Sequence, residues 1–592
     1  MIAIVELTKT MSIAAEIFQN DPDATAFLQM DGARTTYRDA RRIVCSIALE
    51  ARLHESGADD RIALLTPRGK DGVLAFLAVS TFAICCPLDP RLLDEELSAA
   101  ISDLGIALIV DLTGEERISR IALAHGLDVR SVSVSDLKIR SEHELQLGND
   151  LQHGDIALLL QTSGTTSKPK HVALTHANVL AAAASIGKSY EIGSSDICIN
   201  PMPHHHVHGL ISAGISSLLA GAAQFCAPSF TPAAFDEAFD RLRPTWFTGS
   251  PAFHLGLLDF YKTLERAPPQ GSLRFMRSSS APFPASAIGD YESLFGVPLL
   301  ENYGMTETAS TVCSNLLPTH LRKAGSVGVP IGAEVRIVDD AGEDVLAGTE
   351  GAILLRGASV ITGYASGENG PEFFAQGWLR TGDVGHVDHD GFLFILGRTK
   401  ELIKRGGHSV YPLEIDSSLL SHPDVAEAIS FSIPHPTLGE ELVAAIVVRA
   451  GSDLSGDDVR QFLKNRISTY KIPAAVLRVA AIPKSATGKT ARRSMRDAFA
   501  SELSTKGALA ETETELVLLR IWREIVGSST LGVTDNLFVH GADPIRAQRA
   551  CLAIAEKLKC SLIAKDIIRN PTVRQQASIL TRNHDIVVAV DT

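Results

Sequence analysis

The sequence has few cysteines, and their arrangement excludes two classes of protein. Eight cysteines are spread over 592 residues, without a C-x-x-C pair or a spacing typical of metal ligands. A small secreted fold held by disulfides and a cysteine-based zinc site are therefore not expected. Cys85 and Cys86 are adjacent, which suits no ordinary disulfide. We expect reduced, mostly buried thiols and a cytoplasmic protein.

Basic charge and long apolar runs are also scarce. Lys and Arg total 55 against 69 Asp and Glu, so the net charge is -14. A general binder of nucleic acid or of anionic membranes needs the opposite balance, and we expect neither partner. No uninterrupted apolar run reaches about 18 residues, so no transmembrane helix is expected. The N-terminal stretch lacks the charged region, apolar core and cleavage site of a signal peptide.

What remains is an ordinary globular composition, with 45% hydrophobic and 21% charged residues. From Thr36 to about Leu396, short apolar runs such as RIALLTP (61–67) and WFTGSP (246–251) alternate with amphipathic stretches. This alternation predicts an α/β fold of layered, largely parallel sheets, with ligand-binding loops at the carboxyl ends of the strands. A polar, glycine-rich junction at 397–407 then leads into a small α+β unit.

The last part of the chain is predicted to be a helical bundle. A polar stretch at 501–512 precedes it, and Gly527 is a natural helix stop. The apolar residues at helical spacing in its first helix are Leu516, Leu519, Trp522 and Val526. Further helices are expected near Pro544 and near Thr572. A bundle of about 75 residues is large enough to be an independent domain.

The most informative segment is Gln161-Thr-Ser-Gly-Thr-Thr-Ser-Lys-Pro-Lys170, which follows an apolar strand candidate. Its hydroxyl groups, glycine and two lysines can surround a triphosphate with O–H and N–H donors and cations. The alternative is a flexible surface loop rich in Ser and Thr. The sequence does not match two other phosphate-binding motifs. Pro483 occupies the place of the first glycine of a Walker A loop, and no G-x-G-x-x-G sequence opens a helix after a strand.

This loop resembles the signature loop of the adenylate-forming superfamily, which includes acyl-CoA synthetases, luciferases and the adenylation domains of peptide synthetases. Other motifs of that superfamily follow in the expected order, and the resemblance spans roughly residues 15–500. These motifs are Asn302-Tyr-Gly-Met-Thr-Glu307, Thr381-Gly-Asp383, Gly397-Arg398-Thr-Lys400 and Ser485-Ala-Thr-Gly-Lys489. Five motifs in order are far more specific than any one of them.

The resemblance implies a domain organisation and a reaction. The expected domains are a large AMP-binding domain at 1–396, a mobile lid domain at 397–503 with its hinge near Lys400, a linker at 504–512 and a carrier-like domain at 513–585. In the family reaction, a carboxylate attacks the α-phosphate of ATP to give acyl-AMP and pyrophosphate, and a nucleophile, usually a thiol, then displaces AMP. Both steps depend mainly on positioning and charge stabilisation. The expected cofactors are ATP, Mg²⁺ and CoA.

The resemblance also implies roles for individual residues. Those expected to hold ATP are Thr162, Ser163, Gly164, Thr165, Thr166, Lys170, Tyr303, Asp383 and Arg398, with Tyr303 on the adenine and Asp383 on the ribose. Thr306 would bind the α-phosphate, and Glu307 would supply Mg²⁺ with a hard oxygen ligand. Lys489 would bridge the carboxylate and the α-phosphate, or else be an ordinary surface lysine. Gly406 and Gly407 would lie beside the pantetheine of CoA, or else form only a turn.

The segment Pro203-His-His-His-Val-His208-Gly209 does not favour a metal site, because consecutive residues point in different directions and no Cys or carboxylate is near. By resemblance, His206 is a gate between the acyl pocket and the thiol tunnel, while His204 and His205 replace residues that are usually apolar. No acidic residue occurs in 203–221. An α-amino acid substrate is therefore not expected, because its buried ammonium would lack a partner.

The expected acyl pocket consists of His206, Arg277, Ser278 and Gly304. The segment Arg274 to Pro282, together with HVHG and Ser314-Asn315, most resembles oxalate–CoA ligases among acyl-CoA synthetases. Its hydroxyl groups and Arg277 would suit a small or polar acid. The alternative is that Arg277 is a surface residue.

The segment from Val533 to Ile545 resembles the part of acyl and peptidyl carrier domains in which an Asp-Ser pair carries phosphopantetheine. Pro544 replaces that serine. Asp543 and Pro544 still suit the start of a helix, so the fold survives while the hydroxyl is lost. No pantetheine arm is expected here. Such a domain docks a partner, covers the active site or is a remnant.

These observations favour an AMP-forming ligase that converts a small-molecule carboxylic acid into a CoA thioester. A first alternative is an adenylating enzyme that passes the acyl group to an amine or to a separate carrier protein. A second alternative is a non-catalytic scaffold of the same fold. The expected protein partner is a docking protein or a separate carrier protein that contacts the C-terminal bundle.

Overall fold

The computed structural model describes residues 12–139, 155–162, 169–228, 231–269, 271–317, 322–367, 369–435, 438–483, 492–503, 509–528 and 531–583. The chain forms two compact units, Met1–Ile395 and Leu396–Thr592. The predicted lid domain and the predicted helical domain fall within the same second unit.

The first unit contains most of the strands. In chain order they are β1 (Thr25–Leu28), β2 (Arg34–Thr36), β3 (Arg61–Leu65), β4 (Ile84–Leu88), β5 (Leu108–Asp111), β6 (Asp128–Ser131), β7 (Ile156–Thr162), β8 (Lys170–Thr175), β9 (Ile197–Asn200), β10 (Ala223–Cys226), β11 (Trp246–Gly249), β12 (Phe275–Ser278), β13 (Leu299–Met305), β14 (Ser310–Ser314), β15 (Val329–Pro330), β16 (Glu334–Val338), β17 (Gly351–Arg356), β18 (Phe374–Ala375), β19 (Trp378–Val387) and β20 (Leu393–Arg398), which leads into the second unit.

The helices of the first unit lie between these strands in the chain, except α1, which precedes β1. They are α1 (Ile13–Ile17), α2 (Tyr37–Glu50), α3 (Lys70–Ser80), α4 (Asp94–Leu104), α5 (Glu116–Ala124), α6 (His176–Ser189), α7 (Ser216–Leu219), α8 (Pro232–Leu242), α9 (Pro251–Leu264) and α10 (Ala285–Phe295). A π-helical segment, His208–Ile215, precedes α7.

Two sheets of the first unit have the parallel cores that the alternation of strands and helices predicts. One has the order β15-β14-β13-β12-β11-β9-β10-β1-β2, and the other has the order β6-β5-β3-β4-β7-β8. The pairs from β10 through β9, β11 and β12 to β13 are parallel. Strands β11 and β12 are buried along their whole length, as expected for strands covered on both faces.

A third sheet departs from the prediction of largely parallel sheets. Its order is β16-β17-β19-β18, with β20 on β19, and β16, β17, β18 and β19 pair in antiparallel fashion. The prediction is wrong for this part of the chain, because parallel neighbours need a long crossover connection and the described residues between these strands contain no α-helix. Only Gln376 and Gly377, both with positive φ, separate β18 from β19.

The second unit combines a small sheet with helices. Its strands are β21 (Ile403–Arg405), β22 (His408–Val410), β23 (Val425–His435), β24 (Gly439–Val448) and β25 (Ala475–Arg478), in the order β22-β21-β24-β23 with β25 on β24. Its helices are α11 (Pro412–Leu420), α12 (Gly456–Leu463), α13 (Met495–Ala498), α14 (Ala500–Leu503), α15 (Glu513–Val526), α16 (Pro544–Leu558), α17 (Ala564–Arg569) and α18 (Val573–Asn583).

Capping residues set the two ends of the first C-terminal helix, α15. Thr512 caps α15, and Gly527 closes it in the left-handed conformation. One predicted core position of α15 is wrong. Leu516 is 44% exposed, while Leu518 and Trp522 are fully buried, because the face that packs is set by the neighbouring helices.

All eight cysteines lie in the described residues and carry free thiols, seven of them buried. None of the helices in the described part of the chain combines the length and the apolar content that crossing a bilayer requires.

Candidate active site

Strands β13 and β19 bring two of the predicted nucleotide-binding residues together. The hydroxyl group of Tyr303 donates a hydrogen bond to Asp383 Oδ2 over 2.5 Å, and the Asp383 N–H donates to Thr381 Oγ1 over 3.0 Å. Asp383 is buried. Burial, together with the nearby Asp383 carboxylate, raises the pKa of Tyr303 well above its usual value. Tyr303 is therefore a protonated donor that holds the carboxylate in one orientation.

A second contact links the predicted phosphate-binding lysine to the predicted metal ligand. Lys170 lies on β8 and is buried, with Nζ 4.4 Å from the ring centroid of Tyr364 and 3.3 Å from that of Phe373. The Tyr364 hydroxyl donates to Glu307 Oε1 over 2.9 Å. A lysine cation and a carboxylate thus lie on either side of one tyrosine, which is a charge pattern that suits a phosphate with its metal ion.

The backbone around Glu307 forms a tight connection between β13 and β14. Thr306 and Glu307 form a 3₁₀ turn, Thr306–Thr308, between β13 and β14. Ala309 and Ser310 follow it with positive φ angles of 50° and 118°, a conformation that costs of order 1–3 kcal/mol per residue. A Cβ atom on Gly304 would lie 1.6 Å from the Ser310 carbonyl oxygen, so only glycine fits there.

The phosphate loop is described only at its two ends. Thr162 closes β7 and is the cross-strand partner of Lys170 at the start of β8, so the loop leaves and re-enters the sheet at one edge. Four of its predicted ligands and the predicted catalytic lysine lie outside the described residues. They are Ser163, Gly164, Thr165, Thr166 and Lys489.

Arg277, at the end of β12, is fully buried, so the alternative of a surface position is wrong. Its Nη2 donates to Thr311 Oγ1 at 2.7 Å, to Ser212 Oγ at 2.9 Å and to Asn302 Oδ1 at 3.3 Å, and its Nη1 donates to the Ser212 carbonyl at 3.3 Å. Within the described residues its hydrogen bonds all go to neutral acceptors, no carboxylate pairs with it, and its Nε has no hydrogen-bond partner. Burial lowers its pKa.

Two buried histidines adjoin Arg277. His208 Nε2 lies 2.7 Å from Thr248 Oγ1, and its Nδ1 lies 3.1 Å from Ser280 Oγ. Burial, reinforced by Arg277, holds the pKa of His208 well below its usual value. His254 Nε2 lies 2.9 Å from the Arg277 carbonyl oxygen. A carbonyl only accepts, so His254 carries its proton on Nε2. Burial also lowers the pKa of His254, to about 4, so both imidazoles are neutral and Arg277 is the cation of this buried cluster.

The other predicted pocket residues occupy different surroundings. The His206 ring touches His205 at 4.4 Å between centroids, and His205 Nε2 lies 3.5 Å from Asp89 Oδ2. Burial lowers the pKa of His205 to about 3 and that of His204 to about 4, so both substitute for apolar residues as neutral rings. Ser278 is buried, and its Oγ has no hydrogen-bond partner in the described part of the chain.

The predicted residues of the second unit are exposed. Arg398 and Lys400 lie at the start of that unit, with Lys400 in the 3₁₀ turn Thr399–Glu401. Gly406 and Gly407 form the turn between β21 and β22, with φ angles of 57° and 86°. The structure therefore places both glycines in a turn, and a role beside CoA stays a prediction.

Sequence reasoning assigned no pocket role to Ser212, Thr248, Asn302 and Thr311, and all four are buried. Ser212 and Thr248 are polar residues within largely apolar segments, and that contrast is the signal that could have found them. Asn302 and Thr311 lie in and just after a motif rich in polar residues, so the same signal is missing there. The signal does not show which of the four residues meet, because their separation in the chain reaches 99 residues between Ser212 and Thr311.

Comparisons with known proteins give a consistent result. Residues 15–365 match the family model for AMP-binding enzymes, and residues 414–489 match the model for the C-terminal domain of AMP-binding enzymes. A probable CoA ligase, CCL9, from Humulus lupulus is 35% identical over 521 residues, which cover 85% of this chain and 98% of the relative. An oxalate–CoA ligase from Arabidopsis thaliana is 36% identical over 462 residues, covering 74% and 88%.

A solved structure shows the same fold. The crystal structure of ATP-bound MatB from Rhodopseudomonas palustris superposes with a TM-score of 0.75 at 27% identity, over 83% of this chain and 99% of that one.

Proposed function

The chain belongs to the family of AMP-binding enzymes, and on that basis we propose that the acid it activates is small and carries a second anionic group. The reaction is that of an AMP-forming acid–thiol ligase. ATP converts a carboxylic acid into an acyl adenylate, and CoA then takes the acyl group as a thioester. The resemblance inferred from the five ordered motifs is confirmed.

The observation that carries the proposal is the burial of Arg277 without a carboxylate partner among the described residues. An isolated buried cation costs several kcal/mol unless a counter-charge joins it. The groups around it, Ser212, Asn302 and Thr311, are neutral acceptors. A substrate with a second carboxylate, or a comparable anionic group, would supply the missing charge.

The histidines support the same substrate class. A neutral His208 adds no positive charge and uses both ring nitrogens on Thr248 and Ser280. Ser278 Oγ has no partner in the described residues and can offer a hydrogen bond. A polar lining with one cation disfavours long-chain fatty acids, whose apolar tails would leave these groups unsatisfied. The relative from Arabidopsis thaliana is named an oxalate–CoA ligase, and oxalate is the simplest acid with two carboxylates.

We assign the nucleotide to the residues that resemblance indicates. Tyr303 and Asp383 would receive the adenosine, and Lys170 and Thr306 would receive the phosphates. Glu307 fits Mg²⁺, because it is a buried carboxylate that Tyr364 holds in place and because carboxylate oxygen is a preferred ligand of this ion. Mg²⁺ would neutralise phosphate charge, and Lys489 would stabilise the charge that develops between the carboxylate and the α-phosphate.

The C-terminal helices are assigned a role other than carrying pantetheine. Asp543 caps α16 through the Arg546 N–H, and Pro544 opens that helix. Without a hydroxyl at position 544, no phosphodiester can form there. The proposed thiol acceptor is CoA in solution, which the similarity to CoA ligases supports.

A panel of acids tests the proposal. Oxalate, malonate, succinate and sulfoacetate would be compared with acetate, butyrate, benzoate and palmitate, with CoA present and absent. Pyrophosphate release reports adenylation, and chromatography reports the thioester. We expect turnover with one or more of the first four acids and little with the others. Turnover of palmitate or butyrate alone would refute the proposed substrate class.

A further inference from the structure

The loop before α16 is seated on the sheet domain of the same unit. Asn536 Nδ2 donates to the Ala474 carbonyl oxygen over 2.6 Å. Ala474 belongs to the sheet domain but packs in the hydrophobic cluster of the C-terminal helices, which includes Trp522. In the opposite direction, Val539 packs against the cluster of the sheet domain that includes Phe431. Each part, the sheet domain and the C-terminal helices, thus contributes a side chain to the hydrophobic cluster of the other.

A single histidine continues this contact towards the turn of β21 and β22. His435 is 4% exposed, and its Nε2 donates to the Ala542 carbonyl oxygen over 3.3 Å. Its Nδ1 accepts a hydrogen bond from the Leu438 N–H at 3.1 Å. The Leu438 carbonyl in turn accepts from the Gly406 N–H at 2.9 Å. Both ring nitrogens are used, and an unbroken series of hydrogen bonds joins the C-terminal helices to the turn.

The strands beside the turn have supports of their own. Arg405 donates to the Tyr470 and Ile472 carbonyl oxygens and pairs with Glu441. Gly406 and Gly407 are exposed, and the strands on either side are three residues long. The Leu438 side chain packs close to the turn, because a Cβ atom on Gly406 would lie 3.0 Å from Leu438 Cδ2. Those bonds hold the strand residues, whereas Leu438 contacts the glycine turn directly through its carbonyl oxygen and its side chain.

We infer that His435 is a positioning residue for thioester formation. Through Leu438 it braces the Gly406-Gly407 turn, and the C-terminal helices hold His435 in place through the Ala542 carbonyl. The inference rests on the proposed place of that turn beside the pantetheine of CoA. It gives the helices a use that needs no pantetheine arm, because the contact is made by a backbone carbonyl two residues before Pro544.

The test separates the two half-reactions in the full-length protein. Adenylation is followed by exchange of labelled pyrophosphate into ATP, and thioester formation is followed from purified acyl-AMP and CoA. For His435→Ala we expect thioester formation to fall about five- to tenfold, as for the loss of one or two hydrogen bonds, mainly as a higher KM for CoA. Adenylation should change less than twofold. His435→Gln, which retains a donor and an acceptor, should recover part of the loss.

Two further variants guard against an effect of misfolding. Asn536→Ala removes the anchor of the loop and should impair the same half-reaction more weakly. His422→Ala, in the same unit but outside the series of hydrogen bonds, should leave both half-reactions unchanged. Equal losses in both half-reactions for His435→Ala, or no loss in either, would overturn the inference.

The premise is tested separately with Gly407→Val. If this substitution leaves thioester formation unchanged, the turn does not act beside CoA and the proposed role of the glycines fails. If it blocks thioester formation while His435→Ala does not, the glycines act as proposed and only the bracing inference fails.

Discussion

Replacing Arg277 should lower activity without lowering stability. Arg277→Met removes the cation and keeps a side chain of similar length. If the second anionic group of the substrate accepts one hydrogen bond from the guanidinium, that bond contributes about 1.5–3 kcal/mol. We therefore expect kcat/KM for the preferred acid to fall about 10- to 150-fold.

The thermal stability of Arg277→Met should be unchanged or higher. Replacing a buried charge by an apolar side chain is often neutral or stabilising. The acceptors that Arg277 leaves behind keep other partners, because Asn302 Oδ1 still accepts from Ser279 Oγ at 2.8 Å and Ser212 Oγ still lies 3.2 Å from Thr311 Oγ1. The melting temperature without ligands should therefore not decrease.

The assay measures kcat/KM for the active acids alongside thermal unfolding. Arg274→Met is the matched control, because Arg274 lies just before the same strand and pairs with Asp196 at 2.9 Å instead of facing the pocket cluster. It should lower stability and leave the choice of acid unchanged. The reasoning fails if Arg277→Met destabilises the protein while turning over the same acids at the same rate.

Three further outcomes are expected. Burial, with a smaller contribution from Arg68, lowers the pKa of His204 to about 4. Between about pH 6.5 and 4 this histidine is therefore protonated in the unfolded chain and neutral in the folded chain. The free energy of unfolding should fall as the pH drops through that range. His204→Leu should flatten that part of a plot of melting temperature against pH, and an unchanged slope would contradict the cause. Lys489→Ala should abolish pyrophosphate exchange but spare thioester formation from supplied acyl-AMP, whereas loss of both half-reactions in a folded variant would contradict its role. Incubation with a broad phosphopantetheinyl transferase and CoA should add no mass to residues 531–583, and an added pantetheine mass would refute the expectation for Pro544.

Local signals in the sequence predicted helix ends well. Gly527 ends α15 as predicted, and Asp543 with Pro544 opens α16. Each of these ends depends on residues at most four positions apart, so the neighbouring sequence contains the information that it needs. The order of the motifs likewise predicted the family and its reaction, because each motif is a short segment of fixed spacing.

The surroundings of Arg277 and the antiparallel third sheet were decided only by the tertiary structure. The partners of Arg277 come from 65 residues before it to 34 residues after it in the chain, so its burial depends on how β12, β14 and the π-helical segment pack. The same holds for His435, whose acceptor Ala542 lies 107 residues away. Composition and spacing predict what a segment forms, but the free energy of a buried charge depends on which distant groups surround it.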